Sequence, residues 1–164
     1  MKELPQRKRL RLQDFDYSQN GVYYVTIVTE GRQLLFGEIR NGAMHLNEFG
    51  YEVEKRFFNI AKKGIVIDKY IIMPNHIHAI FFFEYEDEDI KISLSKLIKE
   101  FKTITTKEYI DGVKSEKYPP FEKKIWQKSF HDKILTTEEK YLHAWQYIDE
   151  NPLKWELDKE FKEM

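Results

Sequence analysis

The chain has 164 residues, with 27 Lys and Arg against 28 Asp and Glu, and it contains no cysteine. This length is typical of one domain with its own core. The lack of cysteine excludes disulfides, Cys-ligated zinc, iron–sulfur clusters and thiol nucleophiles. We therefore expect an intracellular, cytoplasmic protein. No apolar run approaches the ~20 residues that a membrane span needs, and the charged N-terminal segment lacks the apolar core of a signal peptide.

The charges are segregated along the chain although the net charge is only −1. A net charge near zero argues against a protein that coats nucleic acid by neutralising phosphate in bulk. Against the single acid Glu3, however, the first 13 residues carry a basic cluster of Lys2, Arg7, Lys8, Arg9 and Arg11. Such a cluster is either ordinary solvated surface or a local track for phosphate groups.

The first part of the chain predicts strands around one helix. The β-branched and aromatic segment Gly21–Thr29 predicts a strand. Asn41-Gly42 is a strong hairpin signal between the segments Leu34–Arg40 and Ala43–Leu46. Apolar residues at helical spacing predict a helix from Glu48 to Lys63, which Gly64 ends.

The second part predicts two paired strands and then alternating helices and strands. Proline and asparagine form turns, so Pro74-Asn75 is expected to join the strands Ile65–Met73 and His76–Phe83. The elements predicted after them are a helix over Ser93–Tyr109, a loop over Asp111–Lys124, a strand over Trp126–Leu135 and a helix that starts at Thr136 or Thr137. The last helix is expected to end before Pro152.

This order of elements predicts an α+β protein with a ferredoxin-like, RRM-like βαββαβ core and an antiparallel sheet. An extra N-terminal hairpin and a C-terminal helix are added to that core. We find no repeat or linker and therefore expect one domain over residues 1–164, with a basic arm at 1–20 and the C-terminal helix at 137–151.

His76 and His78 are the first candidates for chemistry. Side chains alternate along a strand, so both imidazoles project from one face and Ile77 from the other. Two imidazoles on one rigid strand are half of a divalent metal site. The alternative is a pair of hydrogen-bonded histidines in a sheet, which short motifs such as this do not exclude.

Tyr147 and Asn151 are the second pair of candidates. On a helical wheel Tyr141, Trp145 and Ile148 share the predicted packing stripe. Tyr147 lies off that stripe, with Asn151 four residues later on the same non-core face. A phenol beside an amide supplies one nucleophile and one oxygen ligand. The alternative for Asn151 is an ordinary helix C-terminal residue before proline.

Three segments in this order, MPNHIHAI, WQKSFHDKIL and YIDENPLKW, resemble the HUH single-tyrosine transposases. More narrowly they resemble the REP-associated tyrosine transposases, in which the tyrosine stands four residues before Asn-Pro. The resemblance extends from the first strand to Trp155. It implies an RRM-like sheet backed by helices, which is the fold that the elements themselves predict.

The resemblance also implies roles for individual residues. His76 and His78 match the histidine pair that binds a divalent metal, and Tyr147 matches the nucleophile that attacks single-stranded DNA. Asn151 occupies the place of the third metal ligand, where the wider family often has glutamine. His131 and Asp132, within Phe130-His131-Asp132, match a signature that supports the site.

Taken together, these residues predict a metal-dependent endonuclease and strand transferase. A divalent ion, Mg²⁺ or Mn²⁺, neutralises the phosphodiester, and the tyrosine forms a 5′-phosphotyrosine and frees a 3′-hydroxyl. The expected partner is single-stranded or hairpin DNA with a REP-like hairpin, held by Arg7, Lys8, Arg9, Arg11 and Lys128. We expect a monomer or homodimer, nucleoid-associated when bound to DNA, with no protein partner.

Two other functions are compatible with the sequence. One is a nucleic-acid-binding module, derived from a transposase, that holds structured DNA or RNA without cutting it. The other is a small metal-dependent hydrolase that activates water. The hydrolase lacks an obvious general base, because Asp132 is the only candidate near the motifs.

Overall fold

The computed structural model describes residues 20–86 and 91–157. The strands are β1 (Gly21–Val28), β2 (Gly37–Arg40), β3 (Ala43–Leu46), β4 (Ile65–Met73), β5 (His76–Phe83) and β6 (His131–Ile134). The helices are α1 (Glu48–Asn59), α2 (Leu94–Lys114) and α3 (Glu138–Leu157), and a short 3₁₀ turn covers Glu30–Arg32. None of the helices in these ranges is both long and apolar enough to cross a membrane.

Four strands form one antiparallel sheet in the order β4-β5-β1-β6. The chain passes from β1 to β4 through α1, and from β5 to β6 through α2. This is the βαββαβ order of a ferredoxin-like core. The predicted α+β fold with an antiparallel sheet is therefore confirmed.

One face of this sheet holds the hydrophobic core. Because side chains alternate along a strand, Tyr23, Val25 and Ile27 of β1 share this face with Ile77 and Phe81 of β5, and each is at most 1% exposed. Apolar residues of the two helices complete the core, namely Phe49, Val53 and Phe57 of α1 and Leu94, Leu97, Ile98 and Phe101 of α2. The intervening strand residues point to the opposite face.

Helix α3 packs on that opposite face, over β4 and β5. A β-bulge between Ile67 and Lys69 interrupts the β4–β5 register, and bulges re-aim neighbouring side chains. The Tyr141 hydroxyl donates to Asp68 Oδ2 at 2.6 Å, and Lys69 Nζ donates to Asp149 Oδ1 at 2.9 Å. These two contacts connect both halves of the helix to the edge strand.

The hairpin of β2 and β3, which follows β1 and precedes α1 in the chain, is a separate two-stranded sheet. Asn41 and Gly42 have φ values of 52° and 75°, which is the pattern of the predicted Asn-Gly turn. The strand begins at Gly37 rather than Leu34, since the backbone N–H groups of Leu35 and Phe36 donate to the Pro74 carbonyl. The residues before the hairpin therefore support the β4–β5 turn.

Helix α3 continues through Pro152 to Leu157, so the prediction that it ends before this proline is wrong. Proline removes one backbone donor and is costly inside a helix. Packing supports the final turn, because Trp155 is only 6% exposed and its ring centroid lies 6.3 Å from that of His76. Tertiary contacts thus override the local preference.

Other boundaries also shift. Helix α1 ends at Asn59, before the predicted Lys63, and α2 continues past Tyr109 to Lys114, where Tyr109 packs on Phe49 at a centroid distance of 4.7 Å. The last strand is shorter than predicted, because Trp126 makes only an isolated bridge to Thr29. The single-domain prediction for residues 1–164 stays a prediction, as both ends of the chain lie outside the described residues.

Candidate active site

His76 and His78 lie on β5, which is flanked by β4 and β1. Both side chains point to the face covered by α3, as the strand period predicts. They are only 3% and 5% exposed, and their ring centroids are 4.6 Å apart. The central strand β5 therefore holds two imidazoles side by side, and both are almost completely buried from solvent.

The turn before β5 orients the imidazole of His76. Its Nδ1 lies 2.7 Å from Asn75 Oδ1. Because an amide oxygen can only accept, Nδ1 carries the proton and Nε2 carries the lone pair. Asn75 Nδ2 donates to the Arg32 carbonyl at 3.4 Å, and the Thr29 N–H and O–H both donate to the Asn75 carbonyl, at 3.0 and 3.1 Å. The amide of Asn75 is thus itself held in place.

Two hydroxyl groups of β1 orient the imidazole of His78. Its Nδ1 lies 2.9 Å from both Tyr24 Oη and Thr26 Oγ1, and either oxygen can accept from Nδ1–H. The Tyr24 ring also stacks on the imidazole at a centroid distance of 5.5 Å. His78 Nε2 is buried and has no hydrogen-bond partner among the described residues. When Nδ1 donates to one of these hydroxyls, Nε2 presents a buried lone pair directed away from its support, which is the arrangement of a metal-ligating histidine.

Burial keeps both imidazoles neutral. It lowers the pKa of His76 from 6.5 to about 4; a hydrogen bond with the Asn151 side chain opposes this effect, and the nearby charge of Arg32 adds to it. Burial also lowers the pKa of His78 well below 6.5, and the neighbouring His76 adds to that shift. The neutral imidazole is the form that binds metal ions.

These shifts predict that the metal-free protein loses stability in acid. His76 titrates near 6.5 when unfolded and at about 4 when folded, so the unfolded state binds more protons between these values. The contribution of this residue to stability is fully present above pH 6.5 and is lost as the pH falls from 6.5 to 4, by about 3 kcal/mol in total. Urea unfolding in EDTA at several pH values measures this loss. A His76→Gln variant should reduce the pH dependence to the part that His78 contributes, and an unchanged dependence would contradict the assignment.

Tyr147 lies next to the histidine pair, on the side that is open to solvent. Its ring centroid is 5.4 Å from that of His78, with the planes at 70°, and its side chain is 37% exposed. Lys154 Nζ lies 5.0 Å from the ring centroid, which places a positive charge over the phenol. Burial raises the pKa of Tyr24, and the proximity of Tyr147 raises it further, so Tyr24 stays neutral while the exposed phenol of Tyr147 reaches solvent.

Asn151 lies one helical turn after Tyr147 and is only 2% exposed. Its Nδ2 donates to the Tyr147 carbonyl at 3.0 Å. The same side chain contacts the imidazole of His76. The amide therefore connects the backbone of the tyrosine turn to the histidine pair.

The packing stripe predicted for α3 is partly wrong. Ile148 is completely buried, but Trp145 is 39% exposed and lies beside Lys69, whose Nζ is 3.8 Å from its ring centroid. Asn151, predicted on the non-core face, is buried instead. The helix presents the polar site residues Tyr147 and Asn151 to the sheet. A helical wheel that counts only apolar residues therefore does not identify the face of α3 that packs on the sheet.

Of the predicted supporting pair, only His131 lies on the face of the candidate site. His131 pairs with Thr26, and Asp132 pairs with Val25 of the core. Since neighbouring side chains on a strand point to opposite faces, the carboxylate of Asp132, 5% exposed, lies on the side of α1 and α2. This placement removes the general base required by the hydrolase alternative.

The predicted DNA-binding residues are mostly beyond what the structure describes. Arg7, Lys8, Arg9 and Arg11 lie outside the described residues. Lys128 is exposed in the segment before β6, where Lys102 Nζ donates to the carbonyls on either side of it, at Gln127 and Ser129. The role of all five in DNA binding stays a prediction.

Sequence reasoning missed the residues that orient the histidines. The sequence predicts only a turn at Asn75, although its position directly before His76 is a usable signal. Tyr24 and Thr26 were not connected to the site, because their contact with His78 depends on the β1–β5 register. Arg32 was missed as well, since only the fold brings its 3₁₀ turn beside His76.

The residues present fit a divalent metal ion with nitrogen and oxygen ligands. Within the described ranges no three His, Asp or Glu side chains converge as a ligand group, so a third ligand must be of another type. Nε2 of His78 is buried and has no hydrogen-bond partner among the described residues, so it could supply one nitrogen, and the lone pair of His76 could supply a second. The amide oxygen of Asn151 is suited to the third position, since Mg²⁺ and Mn²⁺ accept oxygen ligands.

Comparison with protein families identifies the class of this chain. The family model described as "Transposase IS200 like" matches residues 22–151, and the chain belongs to this family. The match includes both histidines, the tyrosine and the asparagine of the candidate site. The sequence-based prediction of a transposase is thereby confirmed.

Individual relatives agree with this assignment. A protein of Haemophilus influenzae Rd, named only as uncharacterized, is 30% identical over 171 residues, covering 93% of this chain and 91% of its own length. A solved REP-associated tyrosine transposase bound to a REP hairpin has a TM-score of 0.62 at 19% identity, over 93% of this chain and 77% of its own. A candidate transposase from Deinococcus radiodurans R1 has a TM-score of 0.51 at 15% identity, over 85% and 95%. The two structures share the fold of this chain.

Proposed function

We propose that this protein is a metal-dependent endonuclease and strand transferase that acts on single-stranded DNA next to a hairpin. The observation that carries the proposal is the position of Tyr147, whose ring lies 5.4 Å from that of His78 although the two residues are 69 positions apart in the sequence. A partly exposed phenol beside two neutral imidazoles is an arrangement suited to attack on a phosphodiester at a metal. The solved relative bound to a REP hairpin supports hairpin DNA as the substrate class.

His76, His78 and Asn151 would hold the metal ion, Mg²⁺ or Mn²⁺. When bound, the ion withdraws negative charge from the phosphate and so favours attack by an oxygen nucleophile. Asn75, Tyr24 and Thr26 orient the two imidazoles, which keeps the ligands in position without movement of the sheet. Helix α3 brings the phenol to them.

The exchange of bonds is balanced without an external energy source. The hydroxyl oxygen of Tyr147 attacks phosphorus and loses its proton, and the bond from phosphorus to the 3′ oxygen breaks. The departing oxygen takes up a proton and becomes a free 3′-hydroxyl. The product is a 5′-phosphotyrosine, from which another 3′-hydroxyl can displace the tyrosine and join two strands.

A denaturing gel tests this function directly. The protein is mixed with hairpin oligonucleotides that carry a labelled single-stranded extension, with Mn²⁺ or with EDTA. We expect a labelled protein–DNA adduct of increased mass with Mn²⁺ only. A shift on a native gel with every oligonucleotide intact on the denaturing gel would overturn the proposal in favour of a non-cutting binding module.

Two substitutions of Asn151 test whether it is an oxygen ligand. Asn151→Asp retains an oxygen near His76 and should retain Mn²⁺ binding, whereas Asn151→Ala should weaken it by about 10–100-fold. Calorimetric titration with Mn²⁺ measures both. Gln146→Ala is the matched control, because this side chain bonds Glu150 at 2.8 Å along the same helix. Equal affinity in all three variants would exclude Asn151 as a ligand.

A further inference from the structure

Lys69 reaches helix α3 because of the β-bulge in β4. Ile67 pairs with Phe81 of the core face. Lys69 pairs with Ile80 of the opposite face, which makes Asp68 the extra residue. Neighbouring side chains alternate along a regular strand, so without the bulge Lys69 would share the core face with Ile67. The extra residue therefore turns a charged side chain out of the core and towards α3.

The ammonium group of Lys69 holds one flank of α3. Its Nζ donates to Asp149 Oδ1 at 2.9 Å and lies 3.8 Å from the ring centroid of Trp145. Trp145 and Asp149 are four residues apart, so they lie on the same side of the helix. The side chain of Lys69 is only 22% exposed. One largely buried ammonium thus makes an ion pair and a cation–π contact with the same helical turn.

Tyr147 lies midway between these two partners in the sequence, but it leaves the helix on the other flank. With 3.6 residues per turn, Tyr147 and Asp149 point about 100° to either side of Ile148. Ile148 is completely buried and marks the face of α3 that packs on the sheet. The helix therefore rests on an apolar side chain, with Lys69 on one flank and the phenol beside His78 on the other.

This geometry makes Lys69 a control on the rotation of α3 about its own axis. Apolar packing is not directional, so the burial of Ile148 alone does not fix that rotation. At a helix radius of ~6 Å, a rotation of about 20° moves a side-chain atom by about 2 Å. Misplacement of a reacting group by ~1 Å can lower a rate by about 100-fold. A small rotation would thus slow attack by the phenol without unfolding the protein.

We propose that Lys69 is a positioning residue, which fixes the rotation of α3 and so directs the phenol of Tyr147 towards the histidine pair. Lys69 acts through Asp149 and Trp145 and takes no part in the bonds that form and break. This role rests on the proposed function, since the reaction that it serves is the attack by Tyr147.

A Lys69→Met variant tests this role when rate, affinity and stability are measured in parallel. The rate of adduct formation is measured with Mn²⁺ and a saturating hairpin oligonucleotide that carries a single-stranded extension, and the affinity for this oligonucleotide is measured by anisotropy in EDTA. We expect the rate at saturation to fall by about tenfold and the affinity to be unchanged. The melting temperature should change little, because a single ion pair of this kind contributes little to stability. Lys69→Arg, which retains the charge, should restore the rate.

Lys107→Met is the matched control, because Lys107 also pairs with an aspartate, Asp111, on α2 behind the sheet. Asp149→Asn removes the ion pair of Lys69 from the helix side and should lower the rate less, since Trp145 still contacts the ammonium. Wild-type rates in both Lys69→Met and Asp149→Asn would overturn the proposal. So would an equal loss of rate in Lys107→Met, or a rate that falls only in proportion to the fraction of folded protein.

A fluorine signal tests the position of the ring without any reaction. The protein is made with 3-fluorotyrosine, and the resonance of Tyr147 is assigned by its absence in Tyr147→Phe. We expect Lys69→Met, but not Lys107→Met, to move this resonance towards its position in the urea-unfolded chain.

The two readouts separate the positioning role from the chemistry. If wild type forms no adduct, the proposed function fails, and the fluorine resonance of Lys69→Met alone decides whether Lys69 positions the ring. If wild type forms the adduct and Lys69→Met matches it in both rate and resonance, the positioning role is wrong and the proposed function stands.

Discussion

Tyr147→Phe should abolish the covalent protein–DNA adduct and lower strand cleavage by at least about a thousandfold. The substitution removes only the hydroxyl oxygen that attacks phosphorus. The ring remains beside His78, so we expect hairpin binding to be unchanged. Because the side chain is 37% exposed, the free energy of unfolding should change by no more than about 0.5 kcal/mol.

Tyr141→Phe is the control for this experiment. Tyr141 lies on the same helix and also carries a phenol, but its hydroxyl bonds Asp68 at 2.6 Å and does not face the histidines. This variant should form the adduct at the wild-type level. A persistent adduct in Tyr147→Phe would show that another group is the nucleophile, and mass spectrometry of the digested adduct would identify it.

Replacing both His76 and His78 by alanine should remove metal binding and, with it, cleavage. The two imidazoles are the nitrogen donors of the proposed site, and loss of even an orienting residue typically costs 10–100-fold in metal affinity. We therefore expect the affinity for Mn²⁺ to fall by more than about 100-fold in the double variant, as measured by electron paramagnetic resonance of free Mn²⁺.

His143→Ala controls for the loss of a histidine. His143 is exposed on α3, and its removal should leave the affinity for Mn²⁺ unchanged. Circular dichroism is required alongside, since the double variant leaves a cavity in a buried region. Wild-type Mn²⁺ affinity in a folded double variant would place the metal elsewhere and reject the site.

The elements that could be predicted from the sequence are those with strong local signals. β4, β5 and the turn between them match the prediction because Pro74-Asn75 marks the boundary and the flanking residues are β-branched or aromatic. The Asn-Gly hairpin matches because two positive φ values are required there. The antiparallel ferredoxin-like order then follows from the sequence of elements.

The parts that could not be predicted depend on tertiary contacts. Local preference ends α3 before Pro152, but the packing of Trp155 extends the helix to Leu157. The burial of Asn151 and the exposure of Trp145 follow from partners on β4 and β5 that no helical wheel contains. The histidines and the tyrosine can be identified from their residue types and spacing. The contact of Tyr24 and Thr26 with His78 can be identified only once the register of β1 against β5 is known.

Nε2 of His78, which has no hydrogen-bond partner in the part of the chain that the structure describes, has a consequence for the evolution of this protein. A buried polar atom without a hydrogen bond costs about 1–3 kcal/mol, and in this protein the ring belongs to the middle of a sheet. A descendant that no longer needed an ion could replace the imidazole by leucine and become more thermostable. The proposed metal site would therefore oppose thermostability at this one position, and homologues that have lost this histidine should melt at higher temperature.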